Sequence, residues 1–160
     1  MILGIDPGLT GGFVVLFPSG KLYLLYPMPV VGNEIDIFHV NEFLKMVRDS
    51  LTICYLEKSQ PFPRIPAQVN FKVGKAFAII ETLLIVNKIP YHLTPPVTWT
   101  KEMHKGIKKE LKSKEKSLLA AKRLFPDIEK LAATKSGKIL DGLIDAALIG
   151  LYGLNKDKGE

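Results

Sequence analysis

The chain is expected to adopt a mixed α/β fold: an antiparallel three-strand meander runs into parallel strands, with helices on both faces. Two patterns predict this. Three short apolar runs near the N-terminus are joined by tight Gly- and Pro-containing turns, and two later apolar runs each follow a helical repeat. A third observation bears on chemistry. Asp6 and Glu57 each end an apolar run, and Asp141 and Asp145 sit inside an apolar helical pattern.

Residues 2–6 read as a buried strand, followed by a Cβ-poor turn with Gly8, Gly11 and Gly12. Residues 13–17 form a second strand, Pro18-Ser19-Gly20-Lys21 a turn, and residues 22–26 a third strand. Residues 27–37 are expected to be irregular. Phe38, Val40, Phe43, Leu44, Val47 and Leu51 recur at helical spacing, so a helix is expected over about 39–50. A parallel strand at 52–57 follows, completing a strand–helix–strand pattern. The prolines of 59–68 exclude regular structure there. Helical spacing returns from Phe71 to Asn87, then a short strand at 89–93 and one helical turn from Val97 to Met103. Ser113 is expected to cap the next helix, which Phe125-Pro126 stops, and residues 139–153 form the last helix. No repeat or linker interrupts the chain, so residues 1–160 are expected to form one domain.

The net charge of +6 favours a polyanionic partner. The single Cys54 excludes an internal disulfide and a cysteine zinc site, and its apolar setting suits a buried thiol. Met1 leads straight into a strand-like run with no secretory signal, and no apolar run reaches the roughly 18 residues a membrane helix needs. A cytoplasmic protein without a membrane association is expected.

A carboxylate is expensive to bury unless it is paired or binds a cation. Asp6 before Pro7-Gly8 is also a good turn former, Glu57 can pair with a surface lysine, and Asp141 can serve as a helix N-cap. Asp145 is harder to explain away, because its helix is apolar nearly all round. Asp141 and Asp145 are four apart and share a helix face, where two like charges need a reason. Mg²⁺ supplies one, since it takes hard oxygen ligands and keeps waters for a phosphate. Four carboxylates are enough for two ions, the arrangement that hydrolyses phosphodiesters.

These residues resemble the RuvC family of Holliday-junction resolvases, and most closely its small phage-type members. Gly4-Ile5-Asp6-Pro7-Gly8 is similar to the family's first catalytic strand, Tyr55-Leu56-Glu57 to its second acidic site, and Asp141-Gly142-Leu143-Ile144-Asp145-Ala146 to its C-terminal acidic helix. Pro95-Pro96-Val97-Thr98-Trp99 and the run to Lys114-Glu115-Lys116-Ser117 resemble the segment before the last helices. The resemblance implies an RNase H-like fold, a homodimer, dependence on Mg²⁺ or Mn²⁺, and paired nicks across a four-way DNA junction, in host cytoplasm for a phage protein. It carries over Asp6, Glu57 and Asp145 as catalytic metal ligands. Bacterial members place the paired acid or His three residues before the last Asp, where this chain has Gly142; here Asp141 lies four before, as in the phage-type members.

The loop after Glu57 should overhang the site. Phe62 is expected to stack on or wedge between bases, while Phe71 is expected to pack into the core at the start of its helix. Arg64, Lys72 and Lys75 are candidate phosphate contacts. Residues 101–116 hold seven lysines and three glutamates, of which Lys101, Lys108 and Lys109 are the weaker candidates for DNA contact. His104 is expected to be an exposed bystander and Trp99 a packing residue. Gly74, Ala78 and Ile79 are the candidate dimer surface. Three other readings compete: the same chemistry on a flap or an RNA–DNA hybrid, a silent junction-binding protein, and an actin-type ATP-binding domain. The last resembles the chain only in its Gly-rich turn and needs two domains. No small-molecule cofactor is expected.

Overall fold

The computed structural model describes residues 1–61 and 63–159. β1 (Ile2–Asp6) pairs antiparallel with β2 (Gly12–Leu16), which pairs antiparallel with β3 (Leu22–Pro27). A two-strand hairpin follows, β4 (Val30–Val31) and β5 (Glu34–Ile35), where irregular chain was expected. Its turn uses Gly32 at φ 61°, a backbone angle that glycine tolerates without strain. α1 (Ile37–Arg48) leads to β6 (Ile53–Glu57), parallel to β1, and α2 (Ala67–Val86) leads to β7 (Tyr91–Thr94), parallel to β6. α3 (Pro96–Met103), α4 (Ser113–Leu124), α5 (Ile128–Leu131) and α6 (Asp141–Asp157) complete the chain. The sheet order β3-β2-β1-β6-β7 is the expected meander extended by two parallel strands.

Alternation along the strands separates two apolar cores. Leu3, Ile5, Phe13, Val15, Cys54 and Leu56 face one way, with Val40, Phe43 and Leu44 of α1 and Ile80 and Leu84 of α2. Ile2, Val14, Leu16 and Tyr55 face the other way, with Trp99, Ala120, Ala121 and most of α6. Helices therefore cover both faces. α6 lies against the centre of the sheet at Gly4, where an added Cβ would collide with the Ala146 carbonyl and the Gly150 backbone. Only glycine permits that approach. The Tyr55 hydroxyl donates to Asp157 Oδ1 at 2.5 Å, tying the far end of α6 to β6.

Several boundaries differ from expectation. α1 begins at Ile37, because Asp36 caps it by accepting from the His39 N–H at 3.1 Å. α2 begins at Ala67 instead of Phe71: Pro66 sits at the N-cap, where its missing N–H is not needed. α4 is capped differently too. Ser113 is its first residue, and the Lys112 N–H donates to Glu115 Oε2 at 2.9 Å. Asp141 is likewise the first residue of α6, with Leu140 at the N-cap and no side-chain cap bond, so the capping role considered for Asp141 is not used. Among the described residues, no helix is long and apolar enough to cross a membrane.

Candidate metal centre

β1 and β6 are neighbours in parallel, with Ile5 opposite Leu56, so Asp6 and Glu57 leave the sheet side by side at the same edge. Both follow the alternation of the α6 face, in step with Gly4 and Tyr55. The first turns of α6 pass over that edge. A Cβ on Gly142 would stand 2.9 Å from Asp6 Oδ2, which brings the start of α6, with Asp141 and Asp145, against Asp6. The fold thus gathers four acids that are up to 139 residues apart (145 − 6).

Their electrostatics mark a shared site. Burial, then the neighbouring Asp6 and Asp145, raise Glu57 to about 7, against the hydrogen bond from Trp99. Burial, then Asp6 and Asp141, raise Asp145 to about 6; hydrogen bonding from Ser117 and the charge of Lys114 oppose the rise. Burial also raises Asp6, against the Gly8 N–H and Lys114. Mutual repulsion of this kind is what clustered carboxylates show when no cation neutralises them.

Each acid is held by a partner from this chain. The Gly8 N–H donates to Asp6 Oδ1 at 2.9 Å, the Trp99 Nε1–H to Glu57 Oε2 at 2.6 Å, and Lys114 Nζ to Asp141 Oδ2 at 2.7 Å. With the side chains so engaged, no group of three or more His, Cys, Asp or Glu among the described residues is drawn tightly enough to hold an ion. One atom nonetheless lacks a partner: Asp145 Oδ1 is buried without a hydrogen bond. A buried, orphaned carboxylate oxygen beside two half-buried carboxylates fits a hard divalent cation.

The expected DNA contacts divide. Phe62 lies outside the described residues. Arg64, Lys72, Lys101, Lys108 and Lys109 are exposed. Lys75 is exposed but donates to Glu34 Oε1 at 2.6 Å on the β4–β5 hairpin. Phe71 does not enter the core: it is 72% exposed, because α2 starts a turn earlier than expected and turns this position outward. It lines a groove of about 610 Å³ with Leu9, Ile35, Lys72, Ala76 and Ile79, beginning at the turn that follows Asp6. Gly74 is open to solvent, Ala78 is exposed and Ile79 half-buried.

Three site residues were missed from sequence. Trp99 is buried, as packing required, but its ring N–H serves Glu57. Lys114 was one of seven similar lysines, and only its partner distinguishes it. His104 is half-buried, with Nε2 3.1 Å from Ser117 Oγ, and is not an exposed bystander.

No family model matches this chain, and no curated protein matches it in sequence. Among solved structures it is similar to a T. thermophilus RuvC in complex with Holliday junction substrate, with a TM-score of 0.69 at 17% identity over 99% of this chain and 95% of that one. It is also similar to a second Thermus thermophilus RuvC structure, with a TM-score of 0.66 at 20% identity over 99% and 96% of the two chains. The fold expected from the sequence, an RNase H-like mixed sheet of the RuvC type, is the one observed.

Proposed function

We propose that this protein is a structure-selective endodeoxyribonuclease that resolves four-way DNA junctions by metal-dependent phosphodiester hydrolysis. The observation that carries the reading is the convergence of Asp6, Glu57 and Asp145 at one sheet edge, where burial raises all three carboxyls and the neighbouring acids raise Glu57 and Asp145 further. Asp6, Glu57 and Asp145, with Asp141 at the rim, would hold Mg²⁺, two ions or one, and Mn²⁺ would substitute. The bound cation would supply an activated water and stabilise the leaving oxygen. Asp145 Oδ1 and its neighbours hold the charge that attracts the cation. Lys114, 2.7 Å from Asp141, offsets part of that negative charge and leaves a cationic group beside the position of a phosphate.

The exposed Arg64, Lys72, Lys101, Lys108 and Lys109 suit a phosphate backbone, and Phe71, with Phe62 nine residues before it, suits unstacked bases at a crossover. Val69, Ile85 and Val86 are exposed on α2, which supports a homodimer with one site per subunit for paired nicks. The solved relative bound to a Holliday junction supports the same substrate. The acid at 141, with glycine at 142, supports a phage-type member acting in host cytoplasm.

The test is a labelled four-way junction beside linear duplex, flap and RNA–DNA hybrid, in Mg²⁺, Mn²⁺ or EDTA, with Asp6→Asn as control. Symmetric nicks in the junction alone, lost in EDTA and in Asp6→Asn, are expected. Cuts confined to the flap or hybrid would reassign the substrate. Tight junction binding without any cleavage would sink the enzyme reading.

A further inference from the structure

β7 pairs with β6 so that Thr94 lies opposite Glu57, and the Lys58 N–H donates to the Thr94 carbonyl at 2.9 Å. Pro95 and Pro96 then start α3 directly beside the acidic edge, since proline at the first helical position needs no N–H partner. One turn on, Trp99 is buried and points its ring N–H back to Glu57 Oε2 at 2.6 Å. At the end of the same helix, the His104 ring meets the Trp99 ring edge-on, with centroids 5.9 Å apart and planes at 78°. His104 Nε2 lies 3.1 Å from Oγ of Ser117, a buried residue of α4 near enough to Asp145 to oppose the rise of its carboxyl.

A hydroxyl has one hydrogen to give. If Ser117 donates it to the Asp145 carboxylate, Ser117 Oγ accepts from His104 Nε2–H. The order is then His104 to Ser117 to Asp145. The two acids on opposite sides of the site, one on the sheet and one on α6, are therefore held from one short helix through two rings in contact. Packing alone requires neither hydrogen bond.

We infer that Trp99, His104 and Ser117 are positioning residues that together set the Glu57 and Asp145 carboxylates for a divalent cation, with the Trp99–His104 ring contact coupling the two. This rests on the proposed metal site. Outer partners of metal ligands typically contribute about 10- to 100-fold in metal affinity or activity.

The experiment measures Mn²⁺ binding to the DNA-free protein by electron paramagnetic resonance, alongside thermal unfolding in EDTA. The proteins are wild type, Trp99→Phe, His104→Gln, Ser117→Ala and Ser117→Thr. Trp99→Phe and Ser117→Ala are each expected to weaken Mn²⁺ binding by about tenfold with little change in unfolding temperature in EDTA. Ser117→Thr, which keeps the hydroxyl, is expected to stay near wild type. Trp99→Phe combined with Ser117→Ala should weaken binding by less than the product of the two single effects, as coupled sites do. If Trp99→Phe is too unstable to assay, His104→Gln and Ser117→Ala decide the outcome. Normal Mn²⁺ binding by the wild type with unchanged affinity in these variants would overturn this inference alone. Absence of Mn²⁺ binding by the wild type would overturn the metal site, and this inference with it.

Discussion

Gly142 and Asp6 meet without room for another atom: a Cβ on Gly142 would lie 2.9 Å from Asp6 Oδ2 and would also strike the Thr10 carbonyl and Gly11. The start of α6 can reach the acidic edge only because position 142 has no side chain. With this chain's backbone a side chain at 142 would collide with Gly11 and the Thr10 carbonyl, and Asp141 takes the rim one residue earlier. Gly142→Ala is expected to destabilise the protein by about 1–3 kcal/mol, the usual range for overpacking a filled site. It should also raise the metal concentration needed for cleavage, because α6 must back away from Asp6. Chemical denaturation and a Mg²⁺ titration of junction cleavage check both effects; an unchanged protein would contradict the close approach.

Asp6→Asn is expected to abolish cleavage, with a loss greater than the roughly 100-fold upper range for outer partners of a metal ligand. In EDTA the same variant should unfold at a higher temperature than wild type at pH 8. It removes a buried like charge beside Glu57 and Asp145. A variant both inactive and less stable would show a merely structural Asp6.

The pH dependence has a definite sign. Glu57 rises from 4.5 to about 7 and Asp145 from 3.8 to about 6, so the folded protein binds more protons than the unfolded chain between about pH 4 and pH 7. Stability in EDTA is therefore fullest below pH 4 as far as these two groups are concerned, and it falls as pH rises through 6 and 7. Mg²⁺ should restore it at pH 8 and do little at pH 5, where protons compete for the same oxygens. Thermal unfolding with and without Mg²⁺ across this range checks the prediction. Stabilisation by Mg²⁺ that is equal at pH 5 and pH 8 would place the ion elsewhere.

Lys114 lowers both Asp6 and Asp145 through its charge. Lys114→Met should move the Asp145 titration upward in ¹³C carboxyl spectra of the metal-free protein and shift the acid side of the cleavage profile to higher pH. A substitution of Lys122, whose Nζ pairs with Glu129 at 2.9 Å on the surface, should move neither.

Phe71→Ala is expected to leave folding stability within about 0.5 kcal/mol, as exposed sites usually do. Junction binding in EDTA, measured by gel shift, should weaken by several-fold while linear duplex binding changes little. Equal weakening on both DNAs would remove the base-stacking role.

Much of this site was legible in the sequence. The apolar runs Ile2–Asp6 and Ile53–Glu57 mark buried strands that each end on an acid, and a helix between the runs makes the strands parallel. Asp145 stood out because it interrupts an apolar helix. Phe71 was misjudged because the helix was started at the first strong apolar repeat, while Pro66 already opens it at Ala67. The hairpin of Val30–Val31 and Glu34–Ile35 is too short to show a period.

The sequence by itself determined which residues carry charge into the core, at which strand ends they emerge, and that the sheet is mixed. These follow from periodicities of two and 3.6 residues, which are local properties of the chain. The tertiary structure alone decided which side chains attend the acids. Trp99 reaches Glu57 across 42 residues, Lys114 reaches Asp141 across 27, and His104 meets Ser117 across 13. Those contacts depend on how α3, α4 and α6 lie on the sheet. That is set by side-chain volumes and by the glycines at 4 and 142, to which no local period corresponds.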